Sequence, residues 1–189
     1  MKKRNSVTAV FGGSFDPPHA GHLQVMTAAM SLNRAQEIIV VPAARHPFGK
    51  AEASYGDRLE MCRRMVRVFP GGRAIVSDIE MRLSLSGRTL DTIEALMAEL
   101  PERKLSLLIG ADILQERDKW YRFDAIEKLV PLIVIGRNGG EGAGYYDVLP
   151  AVSELSSTEA RERLKRGEDC SVIIPAPVLD YIKERGLYT

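Results

Sequence analysis

The sequence predicts an α/β fold: a doubly wound parallel sheet of about five strands flanked by helices, with further helices at the C-terminal end. Two features carry this expectation. Short β-branched runs alternate with stretches whose apolar residues recur at helical spacing. A loop holding two glycines, a carboxylate, two prolines and two of the three histidines separates the first strand from the first helix. In open sheets of this class ligands bind beyond the carboxyl ends of the strands, near the point where strand order reverses.

The elements follow in order. "SVTAVF" (6–11), "EIIVV" (37–41), "RAIVSDI" (73–79), "KLSLLIG" (104–110) and "PLIVIG" (131–136) read as buried strands. Leu23, Met26 and Met30 mark one helical face. Leu59, Cys62, Val66 and Phe69 mark a second, and Leu90, Ile93, Met97 and Leu100 a third. "FDAIEKL" (123–129) is a shorter helix. "NGGEGAGYYD" (138–147) is a glycine-rich loop, "STEARERLKRG" (157–167) a short helix, and "PVLDYIKERG" (177–186) a last helix ended by Gly186.

At 189 residues the chain suffices for one sizeable core, and with no repeat or linker residues 1–189 read as one domain. Its 26 basic and 25 acidic side chains give no global field to attract nucleic acid or an anionic membrane, so any anionic ligand needs a local cluster. No apolar run spans a bilayer, and Asp16 and the prolines follow the basic start too closely for a signal peptide. Two distant cysteines, Cys62 and Cys170, point to a reducing, cytoplasmic setting; Cys62 reads as core filler. Self-association is left open.

In "VFGGSFDPPHAGHL" (10–23), Gly12 and Gly13 are expected to let the backbone turn tightly and a ligand approach the main chain. The helix start that follows offers free N–H groups, which favour a phosphate. His19 and His22, three residues apart, face the same way and can donate to phosphate oxygens. A zinc site from His19, His22 and His46 lacks the glutamate of H-E-x-x-H. Capping or packing is the other alternative. At the far end, "SSTEAR" (156–161) reads as a helix start, with Ser157 or Thr158 as cap and Arg161 free to face a ligand. "GGEGAG" (139–144) leads to no helix and fails as a dinucleotide-binding loop.

These residues bring a family into view. "GGSFDPPHAGHL" resembles the G-G-[ST]-F-D-P-x-H-x-G-H signature of the nucleotidyltransferase superfamily, and "LSSTEARERL" its I-S-S-T-x-x-R signature. Over nearly the whole chain the middle region resembles the nicotinate-nucleotide adenylyltransferase family. "VPAARHPFGK" stands for V-P-x-x-x-P-P-H-K, "DRLEMC" for D-R-L-x-M, "SDIEMRLSLSGRTLDTIEAL" for D-x-E-x-x-R…S-Y-T-x-x-T-L, and "LIGADILQERDKWYRFDAI" for G-x-D-x-L…W-x-x-W-x-x-I.

The resemblance implies a Rossmann-like fold and transfer of AMP from ATP, its triphosphate carrying Mg²⁺, to nicotinate mononucleotide, giving deamido-NAD and pyrophosphate. The same chemistry on nicotinamide mononucleotide or another phosphorylated acceptor is the alternative, and a silent ATP-binding domain the rival. It further implies that Gly12, Gly13, Ser14, Phe15, Gly110, Asp112, Ser157 and Thr158 hold ATP. His19, His22, Arg161 and Lys50 would act on the phosphates, and Thr89, Arg88 and Trp120 would meet the acceptor. Beside it stand blander readings: Trp120 packed over a helix, Lys50 solvated, Asp112 capping its own segment, Arg88 an exposed helix-start residue. Gly49, Arg88 and Phe123 depart from the family's histidine, tyrosine and second tryptophan.

Overall fold

A computed structural model describes residues 6–45, 51–137, 148–152 and 155–189. Strands β1 (Val7–Gly13), β2 (Glu37–Pro42), β3 (Ala74–Val76), β4 (Lys104–Gly110), β5 (Leu132–Arg137) and β6 (Val148–Val152) form one sheet in the order β3-β2-β1-β4-β5-β6. Every neighbouring pair is parallel. The chain winds outward from β1 to β3, returns to β4 beside β1, then winds the other way, so strand order reverses between β1 and β4.

Alternation along the strands explains why both faces need cover. Ala9, Phe11, Ile38, Val40, Leu108, Ile133 and Ile135 enter one buried cluster. Val10, Ile39, Val41, Leu107, Ile109 and Val134, their sequence neighbours, enter the other. Successive side chains of a strand point to opposite faces, so a strand apolar throughout must be buried on both.

The helices are α1 (Ala20–Ser31), α2 (Tyr55–Val66), α3 (Ile79–Arg82), α4 (Thr89–Glu99), α5 (Ala111–Gln115), α6 (Phe123–Leu129), α7 (Ser157–Lys165) and α8 (Ala176–Arg185). The first face packs α1, α2 and α8; the second packs α4 and α6. Gly186 closes α8 in the left-handed conformation at φ 59°, as its sequence position predicts.

Several expectations shift. The third strand is three residues long rather than 73–79, because the Asp78 carbonyl accepts from Met81 and Arg82 and starts α3 there. The sheet has a sixth strand, β6, whose "VLPAV" holds a proline and shows no clear alternation. Helix α2 stops at Val66, leaving Phe69 beyond it, and buries Arg58, Met61, Cys62 and Met65. On α4 the inner stripe runs through Leu96, while Met97 is 38% exposed. Cys62 is wholly buried, as core filler should be. No helix among the described residues is long and apolar enough to cross a membrane.

Polar contacts dock α8 on α2. The Tyr181 hydroxyl donates to Asp57 Oδ1 at 2.9 Å, Arg185 Nε lies 3.4 Å from the same oxygen, and Arg64 Nη2 reaches Glu184 at 3.1 Å. The Ser54 hydroxyl, then Tyr181 and Arg185, hold the Asp57 carboxyl below its ordinary value against partial burial. A carboxyl depressed in the fold adds stability in full above its unfolded value of about 3.9, and loses it as pH falls through the folded value. Asp57→Asn should therefore cost about 0.5–1.5 kcal/mol at neutral pH. The loss should shrink as pH falls below the unfolded value and through the lower folded one, read in urea melts of the two proteins.

Candidate active site

The loop after β1 is built on four rings. Phe15, 1% exposed, packs edge-on to Phe11 at 5.6 Å between centroids and lies 4.7 Å from His22, whose ring is 3.9 Å from that of His19. Phe15 itself makes the turn, at φ 50°. Gly12 and Gly13, expected to turn, instead stay in β1 opposite Val41 and Pro42. Close approach is what Gly13 supplies: a Cβ there would meet the Phe15 ring at 3.2 Å. At Gly21 a Cβ would come within 3.0 Å of the His19 ring, so the G of H-x-G-H makes room for the first histidine.

The start of α1 also differs from expectation. Its first N–H, on Ala20, donates to the Ile173 carbonyl at 2.8 Å, and the His22 N–H donates to the His19 carbonyl at 3.0 Å. These groups are therefore already engaged, and less of the helix end is open to an anion. The imidazoles gain in weight. His22 Nδ1 accepts the His19 backbone N–H at 3.1 Å, so in the neutral ring the proton sits on Nε2, which becomes a donor.

The second cluster comes from the other end of the chain. Helix α7 is capped by Ser156, which accepts from the Glu159 N–H at 3.1 Å; Ser157 and Thr158, the expected caps, are thereby released. The Ser157 hydroxyl donates to the Pro17 carbonyl at 2.9 Å. Arg161 Nη1 donates to the Asp16 carbonyl at 2.6 Å and Nε to Glu52 at 2.9 Å, with the Thr158 hydroxyl 3.4 Å from Nη2. The "SSTEAR" residues thus meet the histidine loop directly.

Asp16 ties these pieces together. It is 3% exposed; one oxygen accepts the Glu52 N–H at 2.8 Å, the other the Ala53 N–H at 3.1 Å and the Tyr188 hydroxyl at 2.6 Å. Burial, then the Asp16 carboxylate, pushes the Tyr188 phenol far above its ordinary value. Arg58, also 3% exposed, donates to the Ser14 and Ala43 carbonyls at 2.7 and 2.8 Å, joining the loops after β1 and β2.

On the opposite flank Glu80 accepts the Ala44 N–H at 2.9 Å and the Thr92 hydroxyl at 2.7 Å. Gly87, at φ 81°, brings its chain against the Arg45 carbonyl, 3.0 Å from where a Cβ would stand. Arg88 follows with its guanidinium exposed, 4.0 Å from the Tyr121 ring centroid, and Thr89 opens α4. Trp120, half-buried, stacks edge-on to Phe123 at 5.8 Å and packs on the core. Arg88, Thr89 and the Trp120 segment are thus neighbours, and Trp120 packs over a helix as its blander reading has it. Gly110 ends β4 and caps α5, which contains Asp112. Lys50, His46 and Gly49 lie outside the described residues, as does the "GGEGAG" loop and the side chain of Asp112.

Sequence reasoning missed Asp16 as the hub, Arg58, Glu52, Glu80 and Tyr188. Arg58 carries a signal, a charge on the buried stripe with Cys62 and Met65. Tyr188 carries none.

A parallel sheet with these groups at the carboxyl ends of β1 and β4 has the ligand position of nucleotide-binding α/β enzymes. The family model described as cytidylyltransferase-like matches residues 10–163, which puts the chain among the nucleotidyltransferases. A protein of Anaeromyxobacter dehalogenans named "Probable nicotinate-nucleotide adenylyltransferase" is 43% identical over 95% of both chains. The nicotinate-nucleotide adenylyltransferase of Bacillus subtilis is 33% identical over 95% of this chain and 96% of its own. The fold matches Plasmodium falciparum nicotinic acid mononucleotide adenylyltransferase, solved with NaAD, at a TM-score of 0.79 and 20% identity over 97% of each chain. The chain belongs to the nicotinate-nucleotide adenylyltransferase family, adenylyltransferases of NAD biosynthesis.

Two substitutions test this frame. Tyr188→Phe removes one hydrogen bond from a buried carboxylate and should lower stability by about 1–3 kcal/mol in denaturant melts. Gly21→Ala should displace the His19 ring and reduce kcat more than about tenfold while leaving the melting temperature within a few degrees, read by parallel kinetics and calorimetry.

Proposed function

We propose that this chain moves AMP from ATP to nicotinate mononucleotide, in the cytosol, with Mg²⁺ entering on the triphosphate as part of the substrate. The observation that carries the reading is the convergence of two sequence ends: Ser157 and Arg161 bond the backbone of the loop that holds His19 and His22. A phosphate monoester is already a nucleophile near neutral pH. Its oxygen attacks the α-phosphorus, the α–β P–O bond breaks, and pyrophosphate leaves with the electron pair.

Catalysis is then positioning and charge stabilisation. His22, with Nδ1 occupied by the His19 N–H, offers Nε2–H to the α-phosphate, where negative charge builds. His19 supports the adjoining phosphate from behind. Arg161 and Lys50 neutralise the pyrophosphate. Gly12, Gly13, Ser14, Phe15, Gly110 and Asp112 flank the nucleotide at the switch between β1 and β4, with Ser157 and Thr158 closing from α7.

Arg88, Thr89 and Trp120 form the acceptor side. A guanidinium held over the Tyr121 ring favours an acceptor bearing a carboxylate, which supports nicotinate over nicotinamide. The Plasmodium falciparum relative in structure, solved with NaAD, accords with that product.

His22→Ala should lower kcat by about a hundredfold or more, the scale for one transition-state donor, in a pyrophosphate-release assay. Run with nicotinate and nicotinamide mononucleotides side by side, the same assay should show the carboxylate-bearing acceptor preferred. Arg88→Ala should cut that kcat/KM ratio by about tenfold. Equal use of both acceptors by the unaltered enzyme would overturn the assignment of the acceptor, and no pyrophosphate release with any acceptor would overturn adenylyl transfer itself.

A further inference from the structure

Glu52 lies at the rim of the same cluster and points two ways. Its backbone N–H donates to Asp16 Oδ2 at 2.8 Å, which fixes the main chain beside the histidine loop. Its side chain reaches toward α7, where Oε1 accepts Arg161 Nε at 2.9 Å and Oε2 lies 2.7 Å from Lys165 Nζ. Arg161 and Lys165 stand one helical turn apart on α7 and so face the same way. One carboxylate bridges both cations.

The other cations of this segment behave differently. Arg163 pairs with Glu159 at 2.6 Å and Arg166 with Glu168 at 2.5 Å, both within their own neighbourhood. Among the described residues, Arg161 and Lys165 are the cations of α7 whose carboxylate partner lies on a distant segment of the chain. Arg161 is further held by the Asp16 carbonyl at 2.6 Å, so its guanidinium has a fixed place whether or not Glu52 is there. The bridging carboxylate is 41% exposed and Lys165 47%. Exposed pairs of this kind are weak and screened, and an anion of higher charge can displace them.

We propose that Glu52 is a resident stand-in for the polyphosphate: its carboxylate occupies the position between Arg161 and Lys165 that the leaving pyrophosphate takes, and Lys165 is a further pyrophosphate-binding residue. The inference rests on the adenylyl-transfer reading for its choice of anion. In the free enzyme Glu52 neutralises two cations that would otherwise repel each other and attract stray anions. When ATP enters, its distal phosphates take both cations and Glu52 turns to solvent. After transfer Glu52 competes with pyrophosphate for the same partners, which speeds release. The Lys165 hydrogen bond, then both positive charges, hold the Glu52 carboxyl below its ordinary value, so the stand-in is charged throughout the neutral range.

The test is calorimetric titration of the full chain with inorganic pyrophosphate, alongside product-inhibition kinetics. Glu52→Gln keeps the shape and removes the competing charge; it should tighten pyrophosphate binding about threefold to tenfold and deepen product inhibition to match. Lys165→Met keeps the apolar stem and should weaken binding about tenfold. In the double variant the gain from Glu52→Gln should shrink, because the two side chains share one partner position. Unchanged or weaker pyrophosphate binding in Glu52→Gln would overturn the proposal and make Glu52 a structural clamp, which a lowered melting temperature would corroborate. Absence of turnover with every acceptor would sink the adenylyl-transfer reading instead, and the binding titration separates the two failures.

Discussion

A single buried carboxylate organises this molecule. Asp16, 3% exposed, accepts backbone N–H groups from Glu52 and Ala53 and the hydroxyl of Tyr188, while its own carbonyl accepts Arg161. An ionised group so far from water is tolerable only when its lone pairs are met by donors. Those donors come from two distant parts of the chain, so satisfying one charge draws the segment before α2 and the C-terminal end onto the first loop. The histidines sit on the loop that Asp16 anchors.

The arrangement also explains how a chain with almost no net charge can prepare for a polyanion. On and just after α7, Arg161 and Lys165 meet Glu52 beside the histidine loop, while Arg163 and Arg166 are answered locally. Positive charge is thus concentrated by geometry rather than by composition. The donor beside it is neutral and directional: a His22 ring whose tautomer is set by the His19 N–H. In the proposed transfer, charge development would be met by groups already in place, which limits reorganisation.

Much of the fold was legible because its signals are local and repeated. Five β-branched runs, helical faces on α1, α2 and α4, and the glycine after α8 each rest on periodicity or on a conformation one residue type favours. What failed was whatever depends on a neighbour. β6 contains a proline and lacks alternation, and only pairing with β5 makes it a strand. The cap of α7 fell on Ser156 rather than Ser157 because the Ser157 hydroxyl is taken by Pro17, a partner 140 residues away in sequence. The glycines of the first loop stay extended because the aromatic Phe15, packed among Phe11 and His22, carries the positive φ in their place.

By itself, then, the order of residues determined the class of fold, the two chemical clusters and the family they resemble, since each is written in short stretches whose meaning does not depend on distance. The tertiary structure alone decided that those clusters adjoin, that Asp16 is their hub, and that Arg58, Glu52 and Tyr188 belong to the site. Their roles are set by burial and by which distant atom lies within about 3 Å, the reach of a hydrogen bond. Pattern along the chain records neither.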